Sequence, residues 1–111
     1  MEPRDRRTSE ERRGTKRFPV EVQIEWEVSD VRKTGTMNDV SFDGCYVLSS
    51  ANVLDGDMVK VFVPLADGMR VQFGGKIANH VVEIGFGVRF ESLSSAQRDL
   101  LVTLVRSSTQ N

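Results

Sequence analysis

The chain has 111 residues and carries 15 basic and 16 acidic side chains, a net charge of −1, which fits a single domain. One cysteine cannot form an intramolecular disulfide, and one histidine leaves too few ligands for a zinc site of the usual kind. No apolar run approaches the ~20 residues that cross a bilayer, and the charged N-terminus lacks the apolar stretch of a secretory signal. We therefore expect a cytoplasmic protein without membrane insertion.

The charge is unevenly distributed along the chain. Residues 1–17 hold seven basic and four acidic side chains, a net charge of +3, whereas the remaining 94 residues carry a net charge of −4. Because the first segment has almost nothing to bury, we expect a flexible basic arm whose residues 1–10 are disordered. A basic arm beside an acidic body is typical of a segment that meets an anion.

Period-two alternation begins after Pro19. Apolar and polar residues alternate from Val20 to Val28, which predicts a half-buried β-strand with Trp26 on its apolar side. Further runs bounded by Gly, Pro, Asp or Ser predict five more strands. These strands are expected at Thr36–Val40, Cys45–Leu48, Met58–Leu65, Met69–Ala78 and Glu83–Phe90.

Turn signals separate these strands. Ser29-Asp30 and residues 33–35 predict a turn or loop, and the Asp-Gly-Asp run at 55–57 predicts a turn. Asp67-Gly68 predicts a second such turn, in a hairpin. The glycine pair at 74–75 and the glycines at 85 and 87 suggest bulges or tight bends.

The C-terminal segment has a helical pattern. Ser94 and Gln97 have the spacing of a capping box, and a helix is predicted over Ser95–Arg106. Its apolar face consists of Leu100, Leu101, Leu104 and Val105. Short antiparallel connections favour closure, so the expected fold is mainly β: a six-stranded antiparallel β-barrel with a C-terminal α-helix and the flexible N-terminal arm.

Two short motifs carry polar side chains suited to a ligand. Arg13 and Arg17 lie four residues apart before the first strand, and Asp39, Ser41 and Gly44 follow in the second motif. Guanidinium groups bind phosphate and the O6/N7 edge of guanine, and a carboxylate accepts hydrogen bonds from guanine N1 and N2. Taken singly, the arginines would be ordinary surface residues and the second motif an ordinary turn.

Together, in this order and spacing, the motifs resemble the signature of the PilZ family, RxxxR followed by (D/N)xSxxG. The run 87–90, Gly-Val-Arg-Phe, resembles that family's closing strand. We place the domain at residues 11–107 and a disordered C-terminus at 108–111. The resemblance implies a receptor for cyclic di-GMP that binds through Arg13, Arg17, Asp39, Ser41 and Gly44.

Two further residues are candidates for the same site. The resemblance implies that Arg12 influences whether one cyclic di-GMP or a stacked pair is bound, and the alternative is one more solvated charge. His80 follows a predicted strand, where the family places a residue against the base, although a lone histidine is commonly a surface residue. Trp26 and Cys45 are expected in the core.

Ligand binding is expected to order the arm over the barrel, and the signal then passes to an unidentified protein partner. The chain has no phosphate loop, metal set or catalytic constellation, so we expect no enzyme and no cofactor beyond the ligand.

A nucleic-acid polymer is disfavoured by the acidic body and the few aromatics. A degenerate adaptor that binds protein without nucleotide stays an alternative, and a monomer is expected, with a dimer left open.

Overall fold

The computed structural model describes residues 16–109, which form six strands and one helix. The elements are β1 (Phe18–Val28), β2 (Val31–Val40), β3 (Gly44–Leu48), β4 (Met58–Pro64), β5 (Arg70–Val81), β6 (Gly85–Phe90) and α1 (Ser95–Thr109). The predicted six-stranded antiparallel barrel with a C-terminal helix is confirmed. The predicted disorder of residues 1–10 lies outside the described residues, as does nearly all of the arm.

The strands close into a barrel in the order β1-β2-β3-β6-β5-β4, and every neighbouring pair is antiparallel. The barrel closes between β1 and β4, where Glu25 lies opposite Phe62 and Trp26 opposite Val61. This short ladder joins the two outermost strands of the described sheet, so neither β1 nor β4 is a fully open edge. The strand order also brings β3 and β6, which are distant in sequence, into one ladder.

The alternating side of each strand fills the barrel interior. Trp26 is 2% exposed, its ring lies 5.0 Å from that of Phe86 in an edge-to-face arrangement, and its Nε1 donates a hydrogen bond to Ser49 Oγ at 3.0 Å. The indole is therefore both packed and satisfied, as a buried tryptophan requires. The core positions predicted for Trp26 and Cys45 are confirmed.

Strand β2 begins five residues earlier than predicted. The turn at Ser29-Asp30 is present, and both residues have positive φ (51° and 66°), the backbone of a two-residue hairpin whose twist lets pairing resume at once. Gly35 continues the strand opposite Ile24. A Cβ there would lie 2.9 Å from the carbonyl oxygen of Leu48, so this glycine permits a close approach to the end of β3 instead of breaking the strand.

Strand β5 runs three residues past its predicted end at Ala78. Gly74 and Gly75 pair regularly with β4, and the register shifts later, between Ile77 and Asn79. The ladder between β4 and β5 ends at Lys76. The irregularity therefore falls where β5 is no longer held in a ladder on both sides, and the predicted bulge at residues 74–75 is wrong.

Helix α1 begins with the predicted capping box. Ser94 N donates to Gln97 Oε1 at 2.6 Å, and Gln97 N donates to Ser94 Oγ at 3.2 Å. The Gln97 side chain also donates to the Gln72 carbonyl oxygen on β5 at 2.6 Å. Leu101 is fully buried in the core. With no glycine or proline after Arg106, the helix continues to Thr109.

Leu101→Ala should lower the free energy of unfolding by about 2–5 kcal/mol, because it leaves a cavity where the helix meets the barrel core. Val102→Ala, at a neighbouring exposed position, should change it by less than about 0.5 kcal/mol. Urea unfolding followed by circular dichroism measures both. Equal effects of the two variants would contradict the packing of α1 described above.

Candidate functional site

The two sequence motifs meet at an ion pair. Arg17 Nη1 lies 2.6 Å from Asp39 Oδ1, although 22 residues separate them in sequence. The register of β1 and β2 places Asp39 opposite Pro19, two residues after Arg17. Both side chains reach solvent, with 51% and 27% of their surfaces exposed. The contact therefore brings a guanidinium and a carboxylate together on the outer surface of the barrel.

Only one of the predicted arginines lies in the described part of the chain. Arg12 and Arg13 fall outside residues 16–109, so their predicted contacts stay predictions. Arg17 was expected to belong to a mobile arm, yet its side chain is bound to β2. The ion pair holds the Arg17 side chain against β2, so Arg17 lies on the barrel.

Ser41 is buried within the turn between β2 and β3. Its side chain is 2% exposed, and its Oγ accepts hydrogen bonds from the backbone nitrogens of Asp43 and Gly44, each at 3.1 Å. The same hydroxyl donates to the carbonyl oxygen of Gly44 at 3.3 Å. With its hydrogen-bonding capacity used by the backbone, Ser41 shapes the turn and does not lie on the outer surface with Asp39.

Gly44 is required by the packing of β3 on β6. A Cβ at this position would lie only 1.9 Å from the carbonyl oxygen of Val88, a backbone atom that cannot move aside. Next to it, Phe90 N donates a hydrogen bond to the Asp43 carbonyl oxygen at 2.7 Å. The second motif is thus fixed against the end of β6.

His80 is not brought together with Arg17 and Asp39. It lies within β5, opposite Phe86, and its Nδ1 is 2.6 Å from Asp55 Oδ1. Strand β5 is separated from β2 by β3 and β6. The described contact of His80 is therefore with the loop that precedes β4, and its predicted role against a base has no support from this arrangement.

Cys45 lies directly behind the ion pair. It is opposite Val40, fully buried, and the pKa of its thiol is raised to about 12. Burial is the main cause, the negative charge of Asp39 adds to it, and Arg17 opposes it. The thiol stays protonated at neutral pH and acts as a small apolar side chain.

The strand pairing places further residues beside Asp39 on the outer surface of the barrel, and neither sequence motif contains all of them. Asp39 lies opposite Tyr46, which lies opposite Gly87, which in turn lies opposite Asn79. In the neighbouring row, Gly44 lies opposite Arg89. The alternating pattern of β3 and β6 indicates which of their residues face outward. Only the pairing register of the strands shows that these residues lie near Asp39.

Metal-ligand clusters, long apolar helices and clefts are the other features of interest in the described residues. Within residues 16–109 no three His, Cys, Asp or Glu side chains are grouped to hold a metal ion. No helix in this part of the chain is long and apolar enough to cross a membrane. A cleft of about 410 Å³ lies on the β1, β4 and β5 side of the barrel and is lined by Met58, Lys60 and Gly74 among others, with no predicted site residue.

The PilZ domain family matches residues 11–107 of the chain. Among solved structures, the PilZ domain of CeSA from a cellulose-synthesising bacterium is 22% identical, with a TM-score of 0.66 over 84% of this chain and 97% of that one. The PlzA protein of Borreliella burgdorferi in complex with c-di-GMP has a TM-score of 0.70 at 14% identity, over 91% and 44% of the two chains.

A third solved structure, the inhibitor of motility MotI/DgrA of Bacillus subtilis, has a TM-score of 0.70 at 13% identity. The match covers 90% of this chain and 52% of that one. This chain therefore spans about half the length of the last two proteins. At these identities the likeness concerns the fold. No curated protein matches the sequence.

Ser41→Ala should lower the free energy of unfolding by about 1–3 kcal/mol, because two backbone N–H groups in the turn lose their acceptor. Asp39→Asn is the control, since it removes only a partly exposed ion pair worth about 0–1 kcal/mol. Thermal or urea unfolding measures both. A Ser41→Ala variant as stable as the unaltered protein would contradict the role of this hydroxyl in the turn.

Proposed function

Since the chain belongs to the PilZ domain family, we propose that it is a receptor for cyclic di-GMP that signals by binding a protein and not by catalysis. The observation that carries this proposal is the 2.6 Å contact between Arg17 and Asp39. It joins the two halves of the family's binding motif on one exposed surface, where a nucleotide can reach both.

The two side chains keep free capacity for a ligand. Arg17 donates through one nitrogen to Asp39, and a guanidinium carries five N–H donors, so others stay available for a phosphate or for guanine O6 and N7. The carboxylate of Asp39 has a second oxygen that can accept from guanine N1 and N2. The ion pair thus prepares both partners for an anionic purine ligand without consuming them.

The remaining cationic contacts come from the arm. Arg13, and Arg12 before it, would approach the ligand from the segment that ends at Arg17. Ordering these residues costs roughly 1–2 kcal/mol each, and the phosphates of the ligand offset both this cost and the repulsion between arginines. The arm would then cover the Asp39 face and change its shape and charge, which a partner protein can recognise.

A nucleic-acid polymer fits this surface less well. Strand-binding barrels present several aromatic side chains to successive bases. Among the large apolar side chains of the described chain that are well exposed, Phe42 is the one aromatic. One dinucleotide site needs far fewer stacking surfaces.

One observation favours the adaptor alternative. Ser41 and Gly44 are both needed for the turn and its packing on β6. These two motif residues would therefore persist in a domain that bound only protein, so their presence alone does not imply a nucleotide. The proposal therefore depends on Arg13, Arg17 and Asp39, and the described ion pair between the last two is partly exposed and adds little stability.

Calorimetric titration should give a dissociation constant for cyclic di-GMP in the micromolar range or below, a binding free energy of about −8 kcal/mol or better. Arg13→Ala and Arg17→Ala should each weaken binding by at least about 1.5 kcal/mol with little change in melting temperature. Asp39→Ala should reduce the preference for cyclic di-GMP over cyclic di-AMP and GTP.

The matched control is Arg98→Ala, which removes an exposed arginine of α1 and should leave binding unchanged. No heat and no change in NMR chemical shifts at near-millimolar cyclic di-GMP would reject the receptor and favour the adaptor. Variants of Arg13 or Arg17 that unfold would instead show these arginines to be structural.

A further inference from the structure

We propose that the ligand-binding surface around Arg17 and Asp39 extends across β3 to β6. There Arg89, a residue of the barrel itself, binds a phosphate of the ligand. The inference rests on the proposed binding of cyclic di-GMP and names a contact that neither motif contains. In this arrangement one phosphate is bound by Arg17, which lies beside Asp39, and the other is bound by Arg89.

Arg89 lies beside the second motif. It is opposite Gly44 in the ladder between β3 and β6, and it is exposed while the preceding Val88 is 3% exposed and faces the core. The hydrogen bond from Phe90 N to the Asp43 carbonyl oxygen fixes this end of β6 to the turn. Gly44 lies on β3, between Arg89 on β6 and strand β2. Because Gly44 has no side chain, it does not separate the Arg89 side chain from β2.

The guanidinium of Arg89 is available for a ligand. Other strand arginines are engaged: Arg32 pairs with Glu25 and Glu27, and Arg70 also pairs with Glu25. For Arg89, by contrast, no hydrogen bond or ion pair of its side chain is present among residues 16–109. Its backbone is held in the ladders with β3 and β5, and its positively charged side chain is exposed.

The neighbour of Arg89 on its other side makes this charge unfavourable without a ligand. Arg89 lies directly opposite Lys76 in the ladder between β6 and β5, and like charges in opposite positions on one face repel each other. Lys76 has a long contact of 3.9 Å with Glu91, with both side chains about half exposed, which offsets only part of the repulsion. An anion bound between Arg89 and Lys76 would offset the rest.

The position suits the second phosphate of a cyclic dinucleotide. Asp39, Tyr46 and Gly87 lie in one row across β2, β3 and β6, and Arg89 is two residues further along β6. Two strand spacings and this offset place the backbones of Asp39 and Arg89 roughly 12 Å apart. A ligand whose guanine is bound at Asp39 therefore extends over Tyr46 toward Arg89. The guanidinium can make two parallel hydrogen bonds to a phosphate, which an ammonium cannot.

The test is calorimetric titration of cyclic di-GMP into the unaltered chain and into Arg89→Ala, Arg89→Lys and Arg98→Ala. Losing a charged hydrogen-bonding partner should weaken binding about tenfold or more in Arg89→Ala. Arg89→Lys should recover part of the loss, since it restores charge but not the bidentate geometry. Arg98→Ala should bind as the unaltered chain does. The 15N-labelled Nε resonance of Arg89 should also shift on titration, whereas that of Arg98 should not.

Equal affinities of the unaltered chain and Arg89→Ala would overturn the inference while leaving cyclic di-GMP binding intact. Equal losses in Arg89→Ala and Arg98→Ala would also overturn it, because they would indicate a general effect of net charge. Should Arg89→Ala fail to fold, the Arg89 Nε resonance of the unaltered chain decides the question: an unmoved resonance at saturation rejects the contact. No binding by the unaltered chain would instead contradict the proposed function itself.

Discussion

The turn between β2 and β3 is the constraint on which the rest of the site depends. The Ser41 hydroxyl bonds three backbone groups within it, and Gly44 allows β3 to approach β6 at a distance no side chain would permit. This turn sets where β2 ends, and so where Asp39 lies, and its contact with Phe90 sets where β6 ends. A single buried hydroxyl and one missing side chain thus position polar groups on separate strands.

The energetics divide the site into a fixed part and a part that a ligand must complete. The barrel residues are held by ladders and core packing, which fix the backbone on either side of Asp39 and Arg89. The Arg17–Asp39 pair is partly exposed and contributes little to stability, about 0–1 kcal/mol, yet it holds the Arg17 side chain against β2. The segment before it has few apolar residues and needs a new electrostatic contact to offset its loss of chain entropy. In the proposed function a dianionic ligand supplies that contact, and binding would then be coupled to a change in the surface.

Local sequence patterns predicted what depends on neighbours in the chain. The alternation after Pro19 predicted β1, the Ser94–Gln97 spacing predicted the helix cap, and the paired motifs indicated the family. Features set by strands meeting across the barrel were missed. Closure decides the burial of Ser41 and the pairing of Arg89 with Gly44, and neither can be seen from residues adjacent in sequence. His80 was misplaced for the same reason, because the length of β5 is fixed by its pairing with β6.

The central claim is that a ligand joins the arm to a face already prepared on the barrel. Backbone 15N relaxation of residues 11–17, measured without ligand and at saturating cyclic di-GMP, tests it most directly. The account predicts that Arg17 is as rigid as β1 in both states, because it is bound to Asp39, whereas residues 11–15 change from mobile to rigid on binding. Residues 11–15 that are rigid without ligand, or that stay mobile at saturation, would contradict it.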